Sequence, residues 1–407
     1  MKQSSDRADA HRSAVLARIG ARGPMSRADL ARELAVSPAL VTQTTKRLLA
    51  DGLLVELQTT PSTGGRPARL LGLASTSGAA VGVKVVAGHV TAIEAGIDGT
   101  VLRSVTESFD ATAPTAVGEL VEILRRFVAS SQHDPLLGIG VGIPGSVDAQ
   151  AVGTVDSTQL GWQHVPLGDI LRRELAMPVL VENNVNALTM AERLFGQARG
   201  HDDVLVVTIG TGVGAGIVSD GVVLRGATGS VGEFGHLPVV PDGPECQCGA
   251  RGCLEALVGE HALVRDAVRR GLLEPAGTIA DLRALADDGD DGARRFFEQA
   301  GALLGRALAG AVNLLDPEIV VVLGEGVTAW PYWATGFEPA LRSAVIPRKR
   351  GIVVAVETWQ DDRWAQGAAS LVLSTPFDAQ GHSGEQGRLV RERMNVASRE
   401  EQPEGAH

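Results

Sequence analysis

The chain has 407 residues, of which 44% are apolar and 21% are charged, and its formal net charge is −11. A chain of this length exceeds what one ordinary core organises, so the sequence predicts a globular protein of two or three domains. The first fifteen residues lack the apolar core of a secretory signal. The least polar stretch, residues 204–218, is too short and too rich in glycine to span a membrane. We therefore expect a cytoplasmic protein with no membrane partner.

The charge is divided unevenly along the chain. Residues 1–72 contain eleven Lys and Arg residues and six Asp and Glu residues, a net charge of +5, which leaves −16 for the remainder. A basic segment before an acidic body indicates a segment that meets polyanions and a body whose own field repels nucleic acid. A chance excess of arginine in an arginine-rich sequence would give the same count.

Residues 1–75 predict a winged helix-turn-helix domain. The sequence "RSAVLARIGARG" is amphipathic and ends at glycine, and "MSRADLAREL" begins with Ser26, a good N-cap. The next helix, in "AVSPALVTQTTKRLLADGLL", has Ser37 as its cap and Pro38 at the first helical position. The sequence "VELQTTPSTGGRPARLLGL" then gives a strand, a polar turn and a second strand, which form a wing. This order is typical of DNA-binding proteins, although small helical triplets also serve as dimerisation modules.

The helix after Ser37 would be the recognition helix, with Val41, Leu48 and Leu49 facing inward. The side chains predicted to contact DNA from this helix are Ser37, Thr42, Gln43, Thr45, Lys46 and Arg47. Gln and Thr can reach base edges in a major groove, whereas Lys and Arg suit phosphates. At the wing tip, "GGRP" presents Arg66 on a narrow loop that would fit an A·T-rich minor groove.

From residue 76 the sequence predicts an α/β body of two similar halves. Each half has glycine-punctuated strands with a "DG" hairpin turn, followed by helices and buried strands. We expect a small lobe over residues 76–182, completed by a returning helix at 363–375. A large lobe over 183–362 would carry an oligomerisation surface, and the cleft between lobes is a preferred place for a small ligand. Residues 376–407 are polar and low in large apolar groups, which predicts a disordered tail.

All three cysteines lie in "CQCGARGC", as Cys246, Cys248 and Cys253, and His236 precedes them in "GEFGH". The cluster could be a disulfide framework, a redox pair, a metal site or three unligated thiols. Three cysteines cannot all pair with one another, and a cytosolic protein seldom keeps disulfides. A tetrahedral zinc ion takes four nitrogen or sulfur ligands, so the spacing favours a structural zinc site with no open coordination position.

The sequence "GSVGEFGHLPVVPDGPECQCGARGCLEALVG" resembles the signature of the ROK family, which is named for its repressors, open reading frames and kinases. The resemblance runs from the winged helix-turn-helix to the last helix of the body. It implies a bilobal α/β body of the actin/hexokinase-like fold, and a zinc ion held by His236, Cys246, Cys248 and Cys253. It also implies a sugar in the cleft between the lobes.

The resemblance further implies which side chains hold the sugar. They are Asn183 of "VENN", Glu233 and His236 of "GEFGH" and Glu255 of "CLE", with Gly145 of "PGSVD" and Thr158 of "DSTQLGW" as weaker additions. Carboxylates and amides suit sugars because they accept from and donate to neighbouring hydroxyls. Zinc would hold one nitrogen of His236 and leave the other to a hydroxyl. Glu233 could instead cap a helix or orient a metal ligand.

The first hairpin turn departs from the kinases of the family. Their turn resembles "DxGGTK", in which glycines let backbone amides approach phosphate and the Asp handles the metal. In this chain Lys84 replaces the Asp, and Val86 and Ala87 replace the glycines. Gly88 and His89 replace the Thr and the Lys. Side chains therefore crowd the place of the phosphate, and a cation replaces a metal-handling carboxylate.

The second departure is Asn184, which stands after Asn183 where the kinases have an Asp as general base. An amide cannot accept a proton at neutral pH, but it can still hydrogen-bond a sugar hydroxyl. The second glycine-rich turn, "IGTGVGAG" at 209–216, is retained, and its glycines could persist because a hairpin needs them. The sequence "GEGV" at 324–327 departs from the paired glycines that the kinases have at the nucleotide base.

These features predict a regulator of carbohydrate genes, a repressor without catalytic residues. We expect it to bind operator DNA as a homodimer or homotetramer and to respond to a sugar or sugar phosphate. Two other functions stay open. The chain could be a sugar kinase with an attached DNA-binding domain, or a DNA-binding protein that needs no ligand and whose body only oligomerises.

Overall fold

The computed structural model describes residues 11–57 except 13, 17 and 21, and then 69–74, 78–148, 152–358, 360, 362–377 and 384–400. For residues 395–400 it describes the backbone alone. The chain forms two compact units, which consist of Met1–Gly200, Ala227–Gly229 and Asp362–His407, and of His201–Gly226 and Ser230–Asp361. The division therefore falls after residue 200 rather than after the expected 182, and the first 75 residues belong to the same unit as the first lobe.

The head is a winged helix domain, as the sequence predicted. Its elements are α1 (the described residues of 11–22), β1 (Met25–Ser26), α2 (Arg27–Glu33), α3 (Pro38–Ala50), β2 (Leu54–Leu57) and β3 (Leu70–Leu73). The strands are antiparallel in the order β1-β3-β2. Ser26 and Ser37 cap α2 and α3 with their side chains, as predicted. Leu30, Leu48 and Leu71 have no exposed surface and form the centre of the head.

A five-stranded sheet dominates the rest of the first unit. The elements up to residue 195 are β4 (Ala79–Val85), β5 (His89–Gly96), β6 (Val101–Ser108), α4 (Ala116–Ala129), β7 (Leu136–Ile143), β8 (Ser146–Val147), β9 (Val155–Ser157), β10 (Trp162–Val165), α5 (Leu167–Leu175), β11 (Val179–Asn183) and α6 (Asn184–Phe195). The sheet order is β11-β7-β4-β5-β6. Strands β4, β5 and β6 are antiparallel neighbours, whereas β7 lies parallel to β4 and β11 parallel to β7.

The second unit contains the other five-stranded sheet. Its elements are β12 (Val204–Ile209), β13 (Val213–Ser219), β14 (Val222–Val223), a 3-10 turn (Phe234–His236), α7 (Glu255–Val258), α8 (Glu260–Arg269), α9 (Ile279–Asp287), α10 (Asp291–Leu315), β15 (Ile319–Leu323), a 3-10 turn (Glu325–Ala329), α11 (Trp330–Ala344), a 3-10 turn (Pro347–Lys349) and β16 (Val353–Val356). The sheet order is β14-β13-β12-β15-β16. Strands β12, β13 and β14 are antiparallel neighbours, and β15 and β16 continue the sheet in parallel.

The two sheets therefore share one topology. In each, the first strand lies at the centre, with two antiparallel strands on one side and two parallel strands on the other. All residues of β7, β12 and β15 are buried, which explains why these strands are continuous apolar runs. The repeat confirms the predicted duplication of the α/β body. Within the described residues, no helix is both long and apolar enough to cross a membrane.

The chain ends with α12 (Arg363–Leu373), a 3-10 turn (Thr375–Phe377) and α13 (Gly384–Glu400). Helix α12 packs against β4, β7 and α6, and so extends the first unit. The expectation of a disordered tail is wrong for 384–400. Val390 and Met394, one helical turn apart, are 0% and 3% exposed, and the Gln386 side chain accepts a hydrogen bond from the Val179 N–H. A narrow apolar stripe on a polar helix therefore suffices for docking, although its composition suggested disorder.

Candidate functional site

The outward face of α3 carries most of the side chains predicted to contact DNA. The exposed members of that set are Ser37, Thr42, Gln43, Lys46 and Arg47. The Ser37 hydroxyl accepts from the Leu40 N–H at 3.3 Å, and the Thr42 hydroxyl donates to the Pro38 carbonyl at 2.8 Å, so both serve the helix itself. Within the part of the chain that the structure describes, no hydrogen bond is formed by the side chains of Gln43, Lys46 or Arg47.

Thr45 was expected on this outward face, and that expectation is wrong. The residue is completely buried, because it lies four residues after Val41 and three before Leu48, on the inward face of α3. Its hydroxyl accepts from Arg27 Nε at 3.1 Å and so joins α3 to α2. Leu49, expected inward, is only partly buried. Arg66 of the wing lies outside the described residues.

Three of the four predicted sugar ligands of the first unit lie at the N-terminus of α6. Asn183 caps this helix, since its Oδ1 accepts from the N–H groups of Val185 and Asn186 at 2.8 and 3.3 Å. Its Nδ2 donates to the Gly145 carbonyl at 2.8 Å, so the two predicted residues are in direct contact. Asn184 is half-buried at the first position of the helix. Thr158 lies exposed in the turn between β9 and β10.

The predicted metal ligands of the second unit come together. One donor atom from each of His236, Cys246, Cys248 and Cys253 lies within 4.8 Å of all the others. His236 Nδ1 is 3.5 Å from Cys246 Sγ, and Cys248 Sγ is 3.7 Å from Cys253 Sγ. Zinc–sulfur bonds of about 2.3 Å in a tetrahedron place two sulfur ligands roughly 3.8 Å apart. The four donor atoms are therefore close enough together to hold a metal ion, and their chemistry is compatible with zinc.

The thiol environment also fits a cation. Burial and the two neighbouring thiols raise the pKa of Cys253 to about 12, and burial raises the pKa of Cys246. A hydrogen bond from the Ala250 N–H lowers the pKa of Cys248. Three thiols this close cannot readily ionise together, because each thiolate repels the next. A bound cation removes this penalty, since metal ligation deprotonates cysteine.

The two acidic residues predicted to hold sugar in the second unit have different partners. Glu233 is exposed, and its Oε2 is 3.6 Å from His236 Nε2, the nitrogen on the side opposite the thiols. Glu255 opens α7, where its Oε2 accepts from the Val213 N–H at 2.9 Å. Its Oε1 accepts from Gln247 Nε2 at 2.6 Å. Glu255 therefore joins the cysteine loop to the β12–β13 turn, a role that sequence reasoning missed.

The β4–β5 turn of the first unit contains the replaced kinase motif. Ala87 and Gly88 are exposed at its tip, and the Val86 N–H donates to the His89 carbonyl at 3.1 Å, which closes the hairpin. Lys84 is half-buried near the end of β4, with its ammonium 5.9 Å from the centre of the Trp364 ring. A cation beside an aromatic face therefore lies where the sequence comparison with the kinases led us to expect the loss of an acidic residue.

The corresponding β12–β13 turn of the second unit keeps its glycines but lies beside a carboxylate. A Cβ at position 210 would meet Glu325 Oε2, so the Glu325 carboxylate lies beside the Gly210 backbone. Both residues line a cavity of about 230 Å³, together with Glu260, Phe297 and Trp333. Sequence reasoning noted that position 325 departs from glycine but missed that its charge reaches the second turn. The two positions are 115 residues apart, and nothing in the sequence signals this contact.

Comparison with known families matches the head and the body of the chain to two different families. A model of the ROK family matches residues 80–375, and a model of the MarR family matches residues 11–60. The first match covers more than half of the chain and confirms the resemblance found in the cysteine segment. The second covers the helices of the head.

Individual proteins support both the regulator and the kinase relationship. The "Xylose repressor" of Bacillus spizizenii is 26% identical over 82% of this chain and 87% of its own length. A crystal structure of a ROK family transcriptional regulator, a homolog of the E. coli Mlc protein, is 26% identical with a TM-score of 0.76, over 96% of this chain and 99% of that one. A ROK family glucokinase from Streptomyces griseus, solved with glucose and AMPPNP, is 31% identical with a TM-score of 0.63 over 72% and 99% of the two chains.

Proposed function

This chain belongs to the ROK family, and from that membership we propose that it is a sugar-responsive transcriptional repressor rather than a sugar kinase. The observation that carries the proposal is the winged helix head, whose α3 presents Gln43, Lys46 and Arg47 to solvent. The two similar regulators, which extend over the head as well as the body, support it. The protein would bind operator DNA as a homodimer or homotetramer, so that two heads meet two half-sites.

We assign the effector to the residues that the family motif marks. These residues are Asn183, Asn184, Gly145, Glu233, His236 and Glu255. Asn183 is held in place by its cap and by Gly145, so its amide is already oriented for a hydroxyl. Thr158 would add a hydroxyl from its exposed turn. A ligand class with many neighbouring hydroxyls, a sugar or sugar phosphate, fits amide and carboxylate partners.

His236, Cys246, Cys248 and Cys253 would hold a structural zinc ion. When bound, zinc cross-links the loop and leaves no coordination position for a water nucleophile, because four protein ligands complete its shell. With Nδ1 toward the thiols, His236 keeps Nε2 for Glu233 or a sugar hydroxyl. The loop thereby fixes the tautomer of one predicted sugar ligand.

Three features argue against phosphoryl transfer. Lys84 puts a cation where the kinases have an acidic residue, and Asn184 cannot act as a general base. Glu325, from a third part of the chain, places a negative charge over the Gly210 backbone, where it would repel a nucleotide phosphate. The kinase function remains the second candidate because the β12–β13 turn keeps its glycines and a cavity of about 230 Å³ lies beside it.

Titration of operator binding with sugars tests the repressor proposal. Fluorescence anisotropy with the DNA upstream of the protein's own gene would be measured against xylose, glucose and their phosphates. We expect one sugar to change the operator affinity by about 5- to 150-fold, the usual range of allosteric coupling. A double variant, Lys46→Ala with Arg47→Ala, serves as the control for binding through α3. Operator binding that no sugar alters would refute the effector part and favour the ligand-independent protein.

A coupled assay for ADP release over the same sugars tests the kinase function. We expect no turnover above that of a heat-inactivated sample. Turnover that Glu233→Ala abolishes would show that the body still catalyses phosphoryl transfer, and the arguments from Lys84, Asn184 and Glu325 would then be wrong.

A further inference from the structure

Helix α6 begins at predicted sugar ligands, and residues 196–200 are attached to its C-terminal end. Asn183 and Asn184 lie at its start, and its 12 residues span about 18 Å. In its last turn, buried Glu192 accepts from the Gln197 N–H at 3.2 Å and pairs with Arg363 at 2.5 Å. The Arg199 N–H then donates to the Gly196 carbonyl, which closes a turn. The segment 196–200 is therefore tied to α6 and would follow any displacement of the helix.

Arg199 reaches from this segment to the first helix of the head. Its Nη2 donates to the carbonyls of Ile19 and Gly20, each at 3.3 Å, near the C-terminal end of α1. In return, the Arg22 side chain donates to the Gly200 carbonyl. Gly23 packs on the same guanidinium with a φ of +90°, and a Cβ there would lie 3.2 Å from Arg199 Cζ. The contact thus joins two segments that are almost 180 residues apart in sequence.

Arg199 is half-buried, and few polar contacts compensate for the hydration that its guanidinium has lost. Arg199 Nε is buried without a hydrogen-bond partner, and the guanidinium forms no ion pair with any residue that the structure describes. Burial lowers the pKa of Arg199, which reflects the cost of desolvating its charge. A half-buried guanidinium that forms only two long hydrogen bonds to carbonyls gains little in return for the hydration it has lost. A small displacement of α6 would therefore be enough to exchange this arrangement for a hydrated one, as two-state switches require.

We propose that Arg199 is a positioning residue that couples the predicted sugar ligands at the start of α6 to the DNA-binding head. The inference rests on the proposed repressor function and states how sugar binding would alter the DNA-binding head. A sugar hydroxyl that engages Asn183 or Asn184 competes with the bonds that seat the N-terminus of α6. The helix and the 196–200 segment then move together, Arg199 leaves the α1 carbonyls, and the head is no longer held in one orientation.

Arg199→Met tests the proposal, because methionine keeps an unbranched stem but removes the charge and both hydrogen bonds. Operator affinity without sugar should already equal that of the sugar-saturated wild type, because the contact that holds the head in one orientation is missing. Sugar should still bind, as measured by calorimetry with xylose and glucose. The sugar-induced change in operator affinity, about 5- to 150-fold in the wild type, should fall below about twofold. Arg393→Met is the matched control, because Arg393 also donates to a carbonyl, that of Leu136, but far from the head in sequence and contacts.

A second readout is amide hydrogen exchange in residues 14–20. In the wild type the sugar should increase exchange there, whereas in Arg199→Met exchange should be high with or without sugar. If Arg199→Met does not fold, Arg22→Met removes the reciprocal bond from an exposed position and should weaken the response partially.

The outcomes separate two failures. A wild-type protein that no sugar affects would overturn the repressor proposal itself. A wild type that responds, together with an Arg199→Met protein whose response is within twofold of it, would overturn the coupling role alone.

Discussion

The first strands of the two sheets end in corresponding turns that differ in chemistry. In the first unit the β4–β5 turn contains bulky Val86 and Ala87 and follows Lys84, whose ammonium faces the Trp364 ring. In the second unit the β12–β13 turn keeps its glycines, yet Glu325 lies over Gly210. The β4–β5 turn therefore has larger side chains and a positive charge nearby, whereas the β12–β13 turn has glycines and a negative charge nearby.

The comparison distinguishes the strands, which packing restricts, from the turns, whose side chains are free to differ. The central strands of both sheets are buried, so packing restricts them to apolar residues in one topology. The turns lie at the ends of these strands, where side chains change without disturbing the core. Each unit has also gained its own module, a DNA-binding head in the first and a cysteine loop in the second.

The largest expected effect is on the cysteine loop, which the first unit lacks. Cys253→Ala should reduce bound zinc from one ion per chain to none, measured by atomic emission. It should destabilise the protein by about 4 kcal/mol or more, or about 10 °C in melting temperature, as expected when a metal site is lost. His261→Ala, an exposed histidine of the same unit, should change neither quantity. A Cys253→Ala protein with full zinc content would contradict the ligand set.

The next largest effect is expected for operator binding by the winged helix head, which only the first unit has. Gln43→Ala should weaken operator binding by about 1–3 kcal/mol, the value of one good base contact, and reduce discrimination against scrambled DNA. Thr45→Val is the matched control, because Thr45 is buried and should affect the stability of the head rather than sequence discrimination. Anisotropy titrations on operator and scrambled DNA measure the two affinities. Equal losses of operator affinity in both variants would contradict the assignment of Gln43 to the outward face and Thr45 to the inward face of α3.

The third prediction concerns the β12–β13 turn. Glu325→Gly should raise the affinity for ATP about tenfold, because a carboxylate about 4 Å from a phosphate costs about 1–4 kcal/mol at effective dielectric constants between 80 and 20. Glu325→Gln, which removes only the charge, should recover most of this gain by calorimetry. Unchanged ATP affinity in both variants would mean that Glu325 does not set the difference between the two turns.

The smallest expected effect compares two helix caps, one in each unit. In α2 the Ser26 hydroxyl donates to Asp29 and holds the pKa of Asp29 below its ordinary value. In α9 Thr278 does the same for Asp281. Ser26→Ala and Thr278→Ala should each cost about 1 kcal/mol at neutral pH.

The pH dependence of these caps has a definite sign. A depressed carboxyl pKa contributes stability that is present above the unfolded-state value and is lost as the pH falls through the folded-state value. The difference in melting temperature between wild type and each variant should therefore shrink below a pH of about 4. A difference that grows in acid would contradict the role of Asp29 or Asp281 in the cap.

Much of the fold was predictable because its signals are local. Ser26, Ser37 and Pro38 mark helix starts through contacts within a few residues, and these caps are present. The recurrence of strands separated by "DG" turns predicted the duplicated body. The tail was mispredicted because the burial of Val390 and Met394 depends on a docking surface supplied by distant strands.

The sequence by itself determined the cysteine cluster, because its four residues lie within 18 positions and a short loop brings them together at little entropic cost. It also indicated the duplicated α/β body, because strands separated by "DG" turns recur along the chain. Tertiary structure alone decided that Thr45 is buried, that Glu325 reaches Gly210 and that Arg199 holds the end of α1. Each of these contacts joins elements distant in sequence, and only the packing of the whole unit decides which atoms become neighbours.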